Sequence, residues 1–285
     1  MIRLGEKPFL SIQGEGNRTG VLTVFVRLFG CNLNCHAFGQ KEPTNPSSWI
    51  LPYKNIDAKA FSKVEDLPVF EYGCDSSYSW ASKFKHLALD YDNASQINDE
   101  IYQLLPNGVY FNSHTMNDID ICFTGGEPML HQPKLLEILQ NTKSIPKTVQ
   151  VETNGTQSLN KNHWPVLSEL FDINWNISPK LYHVSGEVDA VKPEVIKNLY
   201  NLNSNGCLKF VVNNEENTWK ELHDHVKNIR SEGVYFPIYV MPVGATSDSQ
   251  KDTAVLSEIA KRAIGEGYHL SSRLQSIFFS NKVGT

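Results

Sequence analysis

Long apolar runs are missing from these 285 residues. No stretch approaches the ~20 consecutive apolar residues of a membrane helix, and the opening MIRLGEKPFLSIQGEG lacks the continuous apolar core of a signal peptide. The expectation is a cytoplasmic protein with no membrane partner. An excess of positive charge is missing too: 26 Lys and Arg against 31 Asp and Glu leave a net charge of -5. That balance provides no broad electrostatic footprint for a polyanion, so no nucleic-acid partner is expected and a small molecule is favoured. Cysteines are few and odd in number, five in all. This argues against a disulfide framework and toward metal or catalytic use for some of them. Repeats and low-complexity tracts are absent, and the length, ample to bury a core without staples, fits one large α/β domain or two smaller ones.

What the chain does have is alternation. Short apolar runs at 23–30, 120–126, 148–155, 172–178, 208–214 and 236–242 take turns with amphipathic segments. The segments at 95–105, 131–141, 162–171, 193–203, 216–231 and 249–265 carry apolar positions at helical spacing. Strand and helix in turn predict an α/β fold with a parallel sheet, either open or a partial barrel. Five runs end in polar or glycine-rich residues: FGCN, TGGEP, ETNGT, SPK and VMPVG. In parallel α/β architectures the site lies at the carboxyl ends of the strands, so these endings are expected to meet at one mouth.

The first ending, GCNLNC, places Cys31 and Cys35 three residues apart. A third thiolate would be wanted at residue 38, which is Phe. The following segment, 36–73, has four prolines and no sustained period where such connections normally run to a few residues, and it reads as an insertion. Its aromatics, Trp49, Tyr53, Phe61 and Phe70, suggest a packed lid or docking surface with no catalytic residue. Directly after it stands Cys74, in YGCDSSYSW. Widening a two-residue gap to 38 residues costs roughly 2.6 kcal/mol in loop-closure entropy. Binding at a metal site can supply about 10 kcal/mol, so a displaced third ligand is affordable. Three thiolates leave one iron of a four-iron cluster with an open position. A zinc site of Cys31, Cys35, Cys74 and His36 is the alternative, with the adjacency of Cys35 and His36 awkward for a tetrahedron. Cys122 and Cys207, inside apolar strands, read as inert buried thiols.

These residues resemble the radical S-adenosylmethionine enzymes, and more narrowly the 7-carboxy-7-deazaguanine synthase family. FLSIQGEGNRTGVLTVFVRLFGCNLNC, CDSSYSW, TGGEP, VETNGT, NISPK and RLQSIFFSNKVGT carry the resemblance, in that order along the chain. It implies a single radical S-adenosylmethionine domain over residues 1–285, a partial (β/α)6-like parallel barrel, with the insertion 36–73 lying in the cluster-binding loop. The implied activity is conversion of 6-carboxy-5,6,7,8-tetrahydropterin to 7-carboxy-7-deazaguanine with loss of ammonia, a lyase step in queuosine precursor biosynthesis. Implied cofactors are a 4Fe-4S cluster on Cys31, Cys35 and Cys74, S-adenosylmethionine, and Mg2+ on Ser76, which stands where the family has Thr. Serine keeps the hydroxyl oxygen that a hard cation needs.

By the same resemblance Gly125, Gly126, Glu127, Thr153, Asn154, Ser178 and Lys180 would hold S-adenosylmethionine, with Glu127 accepting from its amino group. Gln13, Gly14, Glu15, Arg27 and Thr124 would hold the pterin, Arg27 as a fork for its carboxylate. Asp75 would orient the loop. An electron donor such as flavodoxin or ferredoxin and a homodimer are implied. The rival readings are another radical enzyme that matures a peptide or activates a partner, and a zinc-stabilised binding module.

Overall fold

The computed structural model describes all 285 residues. Two short strands, β1 (Ile2–Leu4) and β2 (Phe9–Ile12), precede β3 (Leu22–Leu28). The cysteine loop and the insert follow, with one short helix, α1 (Pro52–Asn55), and several 3-10 turns. Then come β4 (Leu89–Tyr91), α2 (Ala94–Leu104) and a small hairpin of β5 (Phe111–Asn112) and β6 (Asn117–Asp118). From there the alternation is regular: β7 (Asp120–Gly125), α3 (Gln132–Gln140), β8 (Thr148–Thr153), α4 (Trp164–Leu170) and β9 (Asp172–Ile177). After β9 lie α5 (Tyr182–Ser185), α6 (Pro193–Leu202), β10 (Gly206–Val212), α7 (Glu216–Ser231), β11 (Ile238–Pro242), α8 (Thr253–Glu266), β12 (His269–Leu270) and α9 (Leu274–Phe279).

Ten strands form one sheet in the order β12-β11-β10-β9-β8-β7-β3-β1-β4, with β2 also on β3. Every pairing from β3 to β12 is parallel. Strands β1, β2 and β4 are attached antiparallel. The sheet ends at β4 and β12 without closing; the alternation predicted its mostly parallel α/β architecture, and the partial barrel is the form that the resemblance implied.

All six predicted strands and six predicted helices are present, differing at their ends. The helix expected from 249 begins at Thr253, because the Asp252 side chain accepts from the Val255 amide and caps it there. Gly267, in the left-handed region, closes its other end. The antiparallel strands and the hairpin were not read from the sequence, being two to four residues long and too short to show a period.

Successive residues on the parallel strands face opposite ways. On β7 and β8, Ile121, Phe123, Val149 and Val151 pack outward into the main apolar core beneath the helices. Their neighbours Asp120, Cys122, Thr124, Gln150 and Glu152 point to the lumen, where Gln150 donates to Asp120 Oδ2 at 2.8 Å and Thr124 donates to Glu152 Oε2 at 2.6 Å. The barrel interior is therefore polar and tied together by hydrogen bonds, and its upper layer opens at the carboxyl ends of the strands.

Candidate active site

The missing third cysteine has a structural answer. The amide of Gly73 donates to the carbonyl oxygen of Phe38 at 2.8 Å. The insert thus leaves the cysteine loop at residue 38 and returns to the same place, and Cys74 follows immediately. Gly39 fits this crossing because a Cβ there would lie 3.1 Å from the Glu71 carbonyl oxygen, and its φ of +73° suits glycine. The insert is packed. Tyr53, Ala58, Val64, Leu67 and Phe70 form a second core with Tyr78, Ala81, Phe84 and Leu87 from the chain after Cys74. Buried Gln40 holds its first turn, donating to the Ile50 carbonyl and accepting from the Ile50 amide.

Cys31, Cys35 and Cys74 all face one cavity of about 230 Å³ at the strand ends. They do not gather around a single ion. A tetrahedral zinc site would draw them together, since Zn–S bonds run to ~2.3 Å. His36 is turned away from such a site: its Nε2 is 2.9 Å from the Tyr53 hydroxyl, and the ring packs among Trp49, Tyr53 and Trp80. Three thiols at one open mouth supply the donor set of a cluster that keeps one iron open. Burial pushes the Cys31 thiol up to about 12 and raises Cys35 and Cys74 as well, so the thiols are neutral until a metal displaces their protons.

The loop between the first two thiols is held from outside. Glu187 Oε1 accepts the amides of Asn34 at 2.7 Å and Cys35 at 2.5 Å, and Cys35 itself has a positive φ of 49°. From below, the turn after β7 supports the loop: the Gly126 amide donates to Leu28 O and the Glu127 amide to Gly30 O.

The Glu127 side chain lies behind the cavity wall. It is fully buried, with Oε1 accepting from the Met129 amide and the Thr153 hydroxyl, and Oε2 from the Asn154 amide. Burial nevertheless raises its carboxyl above the ordinary value, those hydrogen bonds opposing the rise only in part. Its carboxylate joins the turn after β7 to the end of β8. Gly14 also lies off the cavity; a Cβ there would fall on the Gln275 side chain, which donates to Ile12 O. The other twelve expected positions besides the cysteines and these two, with Gly125 and Gly126 among them, line the same cavity: Gln13, Glu15, Arg27, Ser76, Thr124, Thr153, Asn154, Ser178 and Lys180 complete the set with Asp75.

Several of these side chains are held by partners the sequence did not reveal. Gln13 Nε2 donates to Gln150 Oε1 and Glu152 Oε1, and its own Oε1 accepts the Glu15 amide. Arg27 Nε donates to buried Glu6 at 2.5 Å, and Tyr78 donates to the same Glu6 oxygen at 3.1 Å. The terminal nitrogens of Arg27 make no hydrogen bond within the chain, its guanidinium carbon lies 5.8 Å from the Tyr78 ring centre, and the residue lines the cavity. Lys180 donates to Ser178 O and Oγ. Asn154 Oδ1 accepts from the Thr156 amide and hydroxyl while its Nδ2 donates to Asn32.

Glu152, Asn176, Lys209, Arg273 and Gln275 also line the cavity and were not singled out in the sequence. A charged residue at a lumen-facing position of an apolar strand was the available signal for Glu152 and Lys209. Arg273 and Gln275 lie in RLQSIFFSNKVGT, a stretch that carries the resemblance without naming a role for either residue. Glu15 receives Lys209 on one oxygen and stands 3.0 Å from Arg273 on the other. Burial alone would raise its carboxyl, but the two cations outweigh burial and hold it down at about 2.

The curated relatives that the chain resembles share one name. A 7-carboxy-7-deazaguanine synthase from Hyperthermus butylicus is 27% identical over 272 residues, which span 93% of this chain and 88% of that protein. One from Pyrobaculum aerophilum is 24% identical over 97% of this chain and 94% of its own length. Among solved structures, the crystal structure of QueE from Escherichia coli matches with a TM-score of 0.49 and 19% identity, covering 95% of this chain and 93% of that one. No family model matches the chain. The resemblance drawn from the motifs is thus matched by curated relatives along nearly the whole chain.

Proposed function

We propose that this chain is a radical S-adenosylmethionine enzyme of the 7-carboxy-7-deazaguanine synthase type, acting on 6-carboxy-5,6,7,8-tetrahydropterin with loss of ammonia. The observation that carries the reading is the return of Cys74 beside Phe38, which brings three thiols to the mouth of a polar barrel despite the long insert. End-to-end similarity to relatives bearing that name supports it.

Cys31, Cys35 and Cys74 would hold a 4Fe-4S cluster, leaving one iron free for S-adenosylmethionine. When bound, that pair supplies a hydrogen-abstracting radical, and the protein's part is placement and exclusion of side reactions. Gly125 and Gly126 let the backbone approach the cofactor, while Thr153, Asn154, Ser178 and Lys180 offer hydroxyl, amide and ammonium groups along the adjoining strand ends. The terminal nitrogens of Arg27, with Nε already committed to Glu6, take the substrate carboxylate. Both amide hydrogens of Gln13 are taken by Gln150 and Glu152, so its part is to hold Glu15, whose carboxylate, paired with Lys209, is the acceptor offered to the pterin ring.

Ser76, lining the cavity two residues after Cys74, is the candidate Mg2+ ligand. Phe38, Pro68 and Val69 place the insert at the cavity edge, where its part is cover. A flavodoxin or ferredoxin as electron donor, a homodimer and a cytoplasmic setting belong to the same proposal. No helix is long and apolar enough to cross a membrane.

The test is anaerobic turnover of iron-reconstituted protein with S-adenosylmethionine, Mg2+, reductant and 6-carboxytetrahydropterin, followed by mass spectrometry. Formation of 7-carboxy-7-deazaguanine is expected. Cleavage of S-adenosylmethionine without that product would remove the substrate assignment and leave the broader radical-enzyme reading.

A further inference from the structure

Arg273 stands just ahead of α9, and its guanidinium joins two parts of the site. Nη1 donates to Asp75 Oδ2 at 2.5 Å, and Nε lies 3.0 Å from Glu15 Oε1. Glu15 in turn receives Lys209. The result is a chain of alternating charge, Lys209–Glu15–Arg273–Asp75, along the cavity wall, with side-chain exposures of 7%, 17%, 13% and 33%. Asp75 sits between Cys74 and Ser76.

In a loop with two residues between the second and third cysteines, the backbone itself fixes one thiol relative to the other. The insert removes that restraint. Backbone bonds hold the chain just before Cys74, Gly73 to Phe38, and just after it, Gly30 to the Ser79 carbonyl. Between those points residues 74–76 bond only locally, Cys74 O to the Ser77 amide and Ser76 O to the Ser79 amide. The Asp75–Arg273 pair is the side-chain bond that ties this segment to the barrel.

We infer that Arg273 is a positioning residue, clamping the segment that carries Cys74 and Ser76 to the substrate floor and so replacing the restraint that the insert removed. The same fork orients Glu15, so the pterin end of the cavity and the third-thiol segment share one anchor. Lysine is a poorer substitute, because its donors sit on one nitrogen at the end of a flexible stem and lack the fixed planar spread of a guanidinium. The inference rests on Cys74 being the third cluster ligand.

The experiment reads the clamp first in full-length, iron-free protein under anaerobic conditions, by mapping the alkylation rate of each cysteine with peptide mass spectrometry. Arg273→Ala and Asp75→Asn are each expected to speed alkylation of Cys74 roughly fivefold or more, as loss of a charge-assisted bond permits local opening, with Cys31 and Cys35 unchanged. Arg273→Lys should fall between wild type and Arg273→Ala, and the double variant should be no faster than either single one. Electrostatics alone predicts opposite signs for the two single variants, since losing the cation disfavours the Cys74 thiolate and losing the carboxylate favours it. Acceleration in both therefore reports the clamp. In reconstituted protein, Arg273→Ala should also lose iron to a chelator faster. A Cys74 rate in Arg273→Ala at or below that of wild type, or equal acceleration of all three thiols, would overturn the inference. If wild-type protein binds no iron at all, the cluster assignment fails, while the alkylation rates still judge the clamp.

Discussion

A Cβ placed on Gly126 would stand 2.2 Å from the carbonyl oxygen of Gly30 and 2.8 Å from Cys31 Cβ. Through this contact the turn after β7 carries the cysteine loop that follows β3, and it leaves no room for a side chain. Gly126→Ala must push the loop outward. The expected outcome is a folded protein that takes up less than about a tenth of wild-type iron after reconstitution, as a ligand shell displaced from its geometry would. Iron and sulfide content beside a melting curve measures it; full iron uptake by a folded Gly126→Ala protein would contradict the role given to this contact.

The five cysteines should divide cleanly. Cys74→Ala is expected to abolish cluster assembly, while Cys122→Ala and Cys207→Ala, each fully buried in strands, keep it at a stability cost of about 1–2 kcal/mol. Visible absorbance after anaerobic reconstitution, read with denaturant midpoints, tests all three. Retention of a normal cluster by Cys74→Ala would refute the displaced ligand.

The insert's own core makes a separate prediction. Phe70 is 4% exposed and packs on Tyr53 and Phe84. Phe70→Ala should cost about 3 kcal/mol and loosen residues 40–72 before the barrel. Limited proteolysis should cut first within the insert, and hydrogen exchange should quicken there while β7 to β10 stay protected.

Glu221 supplies a pH signature away from the site. It accepts the amides of Tyr182 and His183 and the His183 ring, bracing α5 next to the residue that caps the cysteine loop. Burial would raise its carboxyl, but hydrogen bonds from His225, His183 and the α5 amides overcome burial and hold it at about 2, against an ordinary 4.5. A depressed folded-state value stabilises the fold above the unfolded value and ceases to do so as pH falls through the folded one. The contribution, on the order of 2 kcal/mol, should therefore vanish between pH 4.5 and 2. Glu221→Gln should flatten that part of the stability profile in denaturant titrations across this range. An unchanged slope would show that Glu221 is not the group responsible.

Much of this protein was legible along the chain because its determinants are local. Short apolar runs mark β3 and β7 to β11, and helical spacing marks α2, α3, α4, α6, α7 and α8. Gly125, Gly126 and the asparagine and serine endings of the strands name the mouth, since a parallel sheet must present all its carboxyl ends on one side. Cys31, Cys35 and Cys74 could be picked out by residue type and by the breadth of the gap between them.

What only the tertiary structure decided are relationships between residues far apart in sequence. That Gly73 returns to Phe38 is fixed by the insert's small core, whose packing no period announces. Glu127 is buried as a brace between two strand ends because Met129, Thr153 and Asn154 surround it. Lys209, Glu15, Arg273 and Asp75 come from four separate segments and become one chain of charge only when the sheet curves and the segment before α9 lies across its mouth. Burial and ion pairing act through space, so a sequence can name their participants by type, but it is the packed barrel that chooses their partners.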